Sequence, residues 1–141
     1  MVLKKGLELL SEQPGEGSPV RKHAFYRIKL RLWLHRGDPV RWDKPWGLLD
    51  NGARLEEDGT VLITDVRVDR VFLFAGLFYG IQGMNVGGTR LLLIAPHLAY
   101  RSEGVPGLIP PNAVLKAEMS VVSERNEKGL KGLNTPQESS K

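Results

Sequence analysis

The feature that most constrains this chain is the alternation from His23 to Leu34. Tyr26, Ile28, Leu30, Leu32 and Leu34 fall on one face, and Arg27, Lys29 and Arg31 fall on the other. A period of two over this length cannot be satisfied by a helix. It predicts a strand with one buried and one wet side, as in an antiparallel sheet. Arg36-Gly37-Asp38-Pro39 then turns the chain.

A second segment of this kind, Thr60 to Val68, sets Val61, Ile63, Asp65 and Arg67 against Leu62, Thr64, Val66 and Val68. Its β-branched content favours a strand. From Val71 to Gln82 the period changes. Leu73, Phe74, Leu77, Phe78 and Ile81 recur at spacings of three and four, which predicts an amphipathic helix. Asp69 is placed to cap its start and Gly83 to end it. Gly76 and Gly80 lower its propensity but allow it to lie close against a sheet. Arg90 to Ala95 and Val114 to Val122 read as further strands, and Leu7-Glu8-Leu9 as a short first one. Residues 11–19 are polar turn formers and read as a loop, as do the mixed residues 43–59 and the proline-rich run from His97 to Pro111. These elements predict an α+β domain, an antiparallel sheet packed against one short helix. Its span is residues 1–124, with a polar tail over 125–141 predicted to be disordered.

Composition excludes several chemistries. There is no cysteine, so disulfides, thiolate zinc sites and cysteine nucleophiles are ruled out. The histidines at 23, 35 and 97 are scattered without paired spacing, and no metal site is expected. Glycines 83, 87 and 88 follow a helix and lack the Lys-Ser/Thr pair of a phosphate cradle. Glu56-Glu57-Asp58 reads as a solvated turn. No apolar run is long enough to span a bilayer, and no signal-peptide pattern opens the chain, so a soluble cytoplasmic protein is the default expectation. The net charge of +4 is uneven, with nine basic and four acidic residues over 1–42 against five and seven over 43–99. A nucleic-acid surface on the Arg27-Lys29-Arg31 face is weighed against a solvated strand face, and the latter is preferred because no aromatic-basic interleaving supports the former. Taken alone, these features leave a soluble α+β domain of unassigned use.

One stretch says more. Met84-Asn85-Val86-Gly87-Gly88-Thr89-Arg90 leads into Ile94-Ala95-Pro96-His97-Leu98-Ala99-Tyr100. Gly104-Val105-Pro106-Gly107-Leu108-Ile109-Pro110-Pro111-Asn112-Ala113 follows, before the strand to Val122. These 39 contiguous residues resemble the C-terminal half of FKBP-type peptidyl-prolyl isomerase domains. Leu73-Phe74-Ala75-Gly76-Leu77 and Pro14-Gly15-Glu16-Gly17 resemble that family more weakly.

The resemblance implies an antiparallel sheet half-wrapped around one short helix, with an apolar pocket between them. It also implies isomerisation of X-Pro bonds without metal or cofactor. Proline-containing peptides or unfolded client proteins would be the partners, and macrolides the small-molecule ligands. Tyr100 would hydrogen-bond substrate. Leu73, Phe74, Leu77, Val105, Leu108 and Ile109 would complete the substrate-binding set, with Leu108 and Ile109 in the loop over the pocket.

Several positions depart from the family's pattern. Leu77 replaces a tryptophan, Leu30 a tyrosine, Val40-Arg41 a Phe-Asp pair, Ala117 a phenylalanine, Val105 a histidine and Arg101 a glycine. The segment Leu55 to Val61 also resembles a turn of the family, with Leu62-Ile63 then replacing Phe-Asp and Asp65 near enough to restore the acid after a small shift. Trp42, Trp46 or Phe78 could refill the pocket. Slow or narrow isomerase activity is the implied function, and a non-catalytic peptide-binding or chaperone-like module on the same fold is the alternative.

Overall fold

The computed structural model describes residues 1–42 and 53–126. Seven strands, β1 (Val2–Lys4), β2 (Leu7–Gln13), β3 (Phe25–Leu34), β4 (Arg54–Glu56), β5 (Val61–Arg67), β6 (Thr89–Ile94) and β7 (Leu115–Arg125), form one sheet. Their order is β1-β2-β6-β7-β3-β5-β4, and all pairings are antiparallel. One helix, α1 (Ala75–Ile81), packs on the sheet. Among the described residues, no helix is long and apolar enough to cross a membrane.

The alternation that marks this strand in the sequence places β3 near the middle of the sheet, paired with β7 on one side and β5 on the other. Tyr26, Ile28, Leu30 and Leu32 are buried. They continue across the sheet into Val121, Met119 and Ala117, and then into Leu92. Leu77 and Ile81 of α1 belong to the same core. On the opposite face, Arg27 pairs with Asp65 at 2.8 Å, and Arg31 lies 3.1 Å from Glu57 and 3.3 Å from Glu118. Two arginines of the basic stripe are therefore engaged with carboxylates.

Several boundaries differ from the sequence expectation. Residues 11–13 belong to β2 rather than to a loop, because their backbone pairs with β6 and Arg90 draws in Glu12 at 2.9 Å. β7 continues past Val122 to Arg125, since Phe25 to Arg27 extend its partner strand that far. The remainder of the expected tail, from residue 127, lies outside the described residues. β1 and β4 have no counterpart in the sequence reading; each is a three-residue edge segment recruited by its neighbour.

The helix is shorter than its periodicity suggests. The Asp69 carboxylate accepts hydrogen bonds from the Val71 and Phe72 N–H groups, at 3.0 and 3.1 Å. It thereby caps a separate turn over 70–73. Phe74 then takes an extended conformation, and α1 starts only at Ala75. Gly83, at φ +84°, follows its end.

Seven residues are too few for a stable isolated helix, so α1 depends on its seat. The absent side chains of Gly76 and Gly80 make the seat possible. A Cβ at Gly76 would stand 2.5 Å from the Ile94 side chain, and one at Gly80 would stand 2.5 Å from that of Leu92. At the far end, Arg90 reaches up from β6. Its guanidinium donates to the Gly80 and Gln82 carbonyls, at 3.0 and 2.7 Å, while Glu12 holds its Nε. A cation is thus fixed where the helix dipole is negative. The glycine-rich segments also meet one another. A Cβ at Gly15 would fall 2.4 Å from the Val86 carbonyl and the Gly88 nitrogen, and Gly17 donates to Val86 at 2.9 Å.

Gly80→Ala should lower stability by about 1–2 kcal/mol. Overpacking against Leu92 costs roughly 1–3 kcal/mol and outweighs the ~1 kcal/mol gain in helix propensity. Urea denaturation measures this, and an unchanged or higher midpoint would contradict the close seat. Arg90→Met should cost about 2–3 kcal/mol in the same experiment, because it strands the buried Gly80 carbonyl, the part-buried Gln82 carbonyl and the Glu12 carboxylate.

Candidate functional site

Between the sheet and the 70–77 segment lies a cavity of about 370 Å³. β3 contributes Ile28 and Leu30, and β5 contributes Leu62, Thr64 and Val66. The capped turn contributes Arg70, Val71, Phe72 and Leu73. Phe74, Leu77, Trp42 and Tyr100 complete the wall. The strand residues are those that alternation directs to the helix side of the sheet. The turn residues are positioned by the Asp69 cap. Burial opposes the Asp69 charge. The hydrogen bond from Arg67 and those from the Phe72 and Val71 N–H groups outweigh it and hold the carboxyl below its usual range. Val71, at the mouth, is 74% exposed.

Four of the expected site residues come together here: Leu73, Phe74, Leu77 and Tyr100. The Phe74 and Tyr100 rings meet at 5.1 Å with a 58° tilt. Burial pushes the Tyr100 hydroxyl pKa well above its ordinary value, so the group stays protonated. Val105, Leu108 and Ile109 are not on this wall. Leu108 and Ile109 line a separate groove of about 480 Å³ with Leu34, Arg36, Glu103 and the prolines at 106, 110 and 111. Val105 closes the base of its own turn, exchanging backbone hydrogen bonds with Ile109 at 2.8 Å. Ile109 is buried in the main core, with Val105 and Leu108 packed against it.

The replaced aromatic positions are resolved in part. Trp42, only 3% exposed, lines the cavity together with Leu77 and Leu30. It is carried there by the hairpin after β3, in which Val40 N–H donates to Leu32 at 2.8 Å, and is tied to the β4–β5 turn by the Trp42 N–H, which donates to Gly59 at 2.7 Å. Phe78 is half-buried against Tyr79 and is not on the wall. Trp46 lies outside the described residues. Asp65 does not restore a cavity acid, because it faces Arg27 and Arg125 on the other side of the sheet. Residues 54–61 form a separate hairpin between β4 and β5. Arg101 sits at φ +53°, a left-handed conformation that favours the glycine of the family's pattern. Thr64 and Val66 are wall residues that the sequence reading does not single out, although their shared face with Leu62 is legible. Arg70 to Phe72 escape it because the periodicity assigns Val71 and Phe72 to the helix. Among the described residues, no group of histidines and carboxylates is placed to hold a metal.

The family model described as FKBP-type peptidyl-prolyl cis-trans isomerase matches residues 49–122. The chain is 39% identical over 92 residues to peptidyl-prolyl cis-trans isomerase FKBP9 of Mus musculus, a match covering 63% of this chain and 16% of the mouse protein. The chain thus spans only a small part of that longer relative. It is 34% identical over 93 residues to peptidyl-prolyl cis-trans isomerase FPR2 of Saccharomyces cerevisiae, covering 64% of this chain and 67% of the yeast protein. The crystal structure of AtFKBP13 superposes with a TM-score of 0.66 at 24% identity, covering 88% of this chain and 97% of that one. An antiparallel sheet half-wrapped around one short helix is the fold that structure shares with the chain. The chain belongs to the FKBP-type peptidyl-prolyl cis-trans isomerase family.

Asp69→Ala should cost about 1 kcal/mol at neutral pH through loss of the turn cap. Because the folded-state pKa of Asp69 is depressed, its contribution is present above the unfolded value and is lost as pH falls through the folded one. The stability gap between wild type and variant should therefore narrow below about pH 4. Denaturation midpoints at about pH 7 and about pH 3 measure the gap, and a gap independent of pH would contradict the cap.

Proposed function

We propose that this domain isomerises X-Pro peptide bonds in the cavity beside α1. The observation that carries the reading is the cavity's composition. A wall mainly of aliphatic and aromatic side chains, which also carries Thr64 and Arg70, is joined by one tyrosyl hydroxyl. Rotation about an amide meets a barrier of ~18–20 kcal/mol and requires no nucleophile or metal. It requires that the twisted amide be bound more tightly than the planar one. An apolar enclosure suits a proline ring, and the Tyr100 hydroxyl supplies a donor to a peptide carbonyl. Trp42 takes up the aromatic role left open by Leu77 and Leu30. The family's proline-containing peptides are the proposed substrates, and macrolides the proposed competing ligands of the same cavity.

Protease-coupled cleavage of a proline-containing tetrapeptide tests the reading. Purified protein at micromolar concentration should raise the cis-trans rate above background, and a background rate from folded protein would overturn the reading. Tyr100→Phe should lower kcat/KM by about tenfold, the worth of one substrate hydrogen bond. Trp42→Ala should lower it at least as far by opening the wall. Unchanged kcat/KM in both folded variants would move the chemistry elsewhere.

A further inference from the structure

The Thr64 hydroxyl on the cavity wall is not accounted for by this reading. Thr64 lies opposite Ile28 of β3, and its side chain stands on the wall between Leu62 and Val66. The residue is 2% exposed, and its Oγ1 is buried without a hydrogen-bond partner among the described residues. Buried hydroxyls are nearly always paired. Valine would fill the same volume without a polar atom to satisfy. The ladder with β3 holds the Thr64 backbone in place, and rotation about its Cα–Cβ bond exchanges the hydroxyl and the methyl group without taking the side chain off the wall. The space that the residue lines is the source of a partner.

We propose that Thr64 is a specificity-determining residue of this cavity. Its hydroxyl hydrogen-bonds a hydroxyl carried into the cavity by the substrate, on the proline ring or on the side chain before it. The preferred substrates are then X-Pro segments bearing such a group. A hydrocarbon occupant of the same shape would seal the Thr64 hydroxyl without a partner, whereas a polar one would satisfy it. This inference rests on the reading of the cavity as the seat of an X-Pro segment.

Two closely matched peptide pairs test it, differing as proline against 4-hydroxyproline and as Val-Pro against Thr-Pro. Affinities are measured by calorimetry for wild type, Thr64→Val and Thr64→Ser. Wild type should favour the hydroxylated member of at least one pair by about three- to tenfold, the range of one net hydrogen bond. Thr64→Ser should keep the preference, and Thr64→Val should reduce it below about twofold while folding at least as stably as wild type. The same ratio in wild type and Thr64→Val would overturn the inference. So would a loss of more than about tenfold in the folding constant of Thr64→Val, which would show the hydroxyl bonded within the protein. If the protein isomerises X-Pro bonds but shows no such preference, only the role of Thr64 fails. If it neither binds any of the peptides nor isomerises them, the cavity reading fails with it.

Discussion

The close approach of α1 to β6 is the contact on which the rest depends. Seven residues of helix have little stability of their own. Here they are held where Gly76 and Gly80 meet Ile94 and Leu92, and where Arg90 closes the C-terminal carbonyls. That seat fixes the position of Leu77, of Phe74 just before the helix, and of the turn before that. The cavity is the space left between this fixed segment and the inner faces of β3 and β5. A helix with alanine at both glycine positions would have better propensity and a worse seat. Local preference has been set aside here for tertiary fit.

The cavity has an aromatic wall although several residues depart from the family's pattern. Positions that are aromatic in the family's pattern, on β3, on the helix and on β7, carry Leu30, Leu77 and Ala117. An aromatic wall is nevertheless present, because the hairpin after β3 brings Trp42 in from another part of the chain. What the wall needs is buried apolar area and ring shape, and neither depends on a particular backbone position. A tyrosyl hydroxyl is different, since any hydrogen bond it makes depends on where its oxygen stands. Tyr100 stays on the wall, held against Phe74.

The strands with clean alternation were legible in the sequence, because one buried face leaves a period that nothing else produces. A register slip by one residue would bury Arg27, Lys29 and Arg31 and expose Ile28 and Leu30, so β3 admits only one facing. The helix was legible in its apolar stripe but not in its start. Leu73 and Phe74 fit helical spacing, yet they belong to a turn and an extended residue, and only the hydrogen bonds of Asp69 distinguish the two. The short edge strands β1 and β4 have no signal of their own, since their pairing is supplied by a neighbour. The Leu108–Ile109 loop was legible as a motif, whereas the packing of Ile109 into the core depends on contacts distant in sequence. Trp42 was legible only as a candidate, because nothing local says which side of a turn an indole will take.

The strand order has a consequence for how the domain comes into being. β3 lies between β5 and β7, and its longest pairing is with β7, at the far end of the domain's sequence. β2 likewise waits for β6. While the chain is being synthesised, the inner faces of β2 and β3 have no permanent cover until β6 and β7 have left the ribosome. Such high contact order makes for slow, all-at-once folding. A nascent chain of this domain would itself expose apolar strand surface for most of its synthesis time.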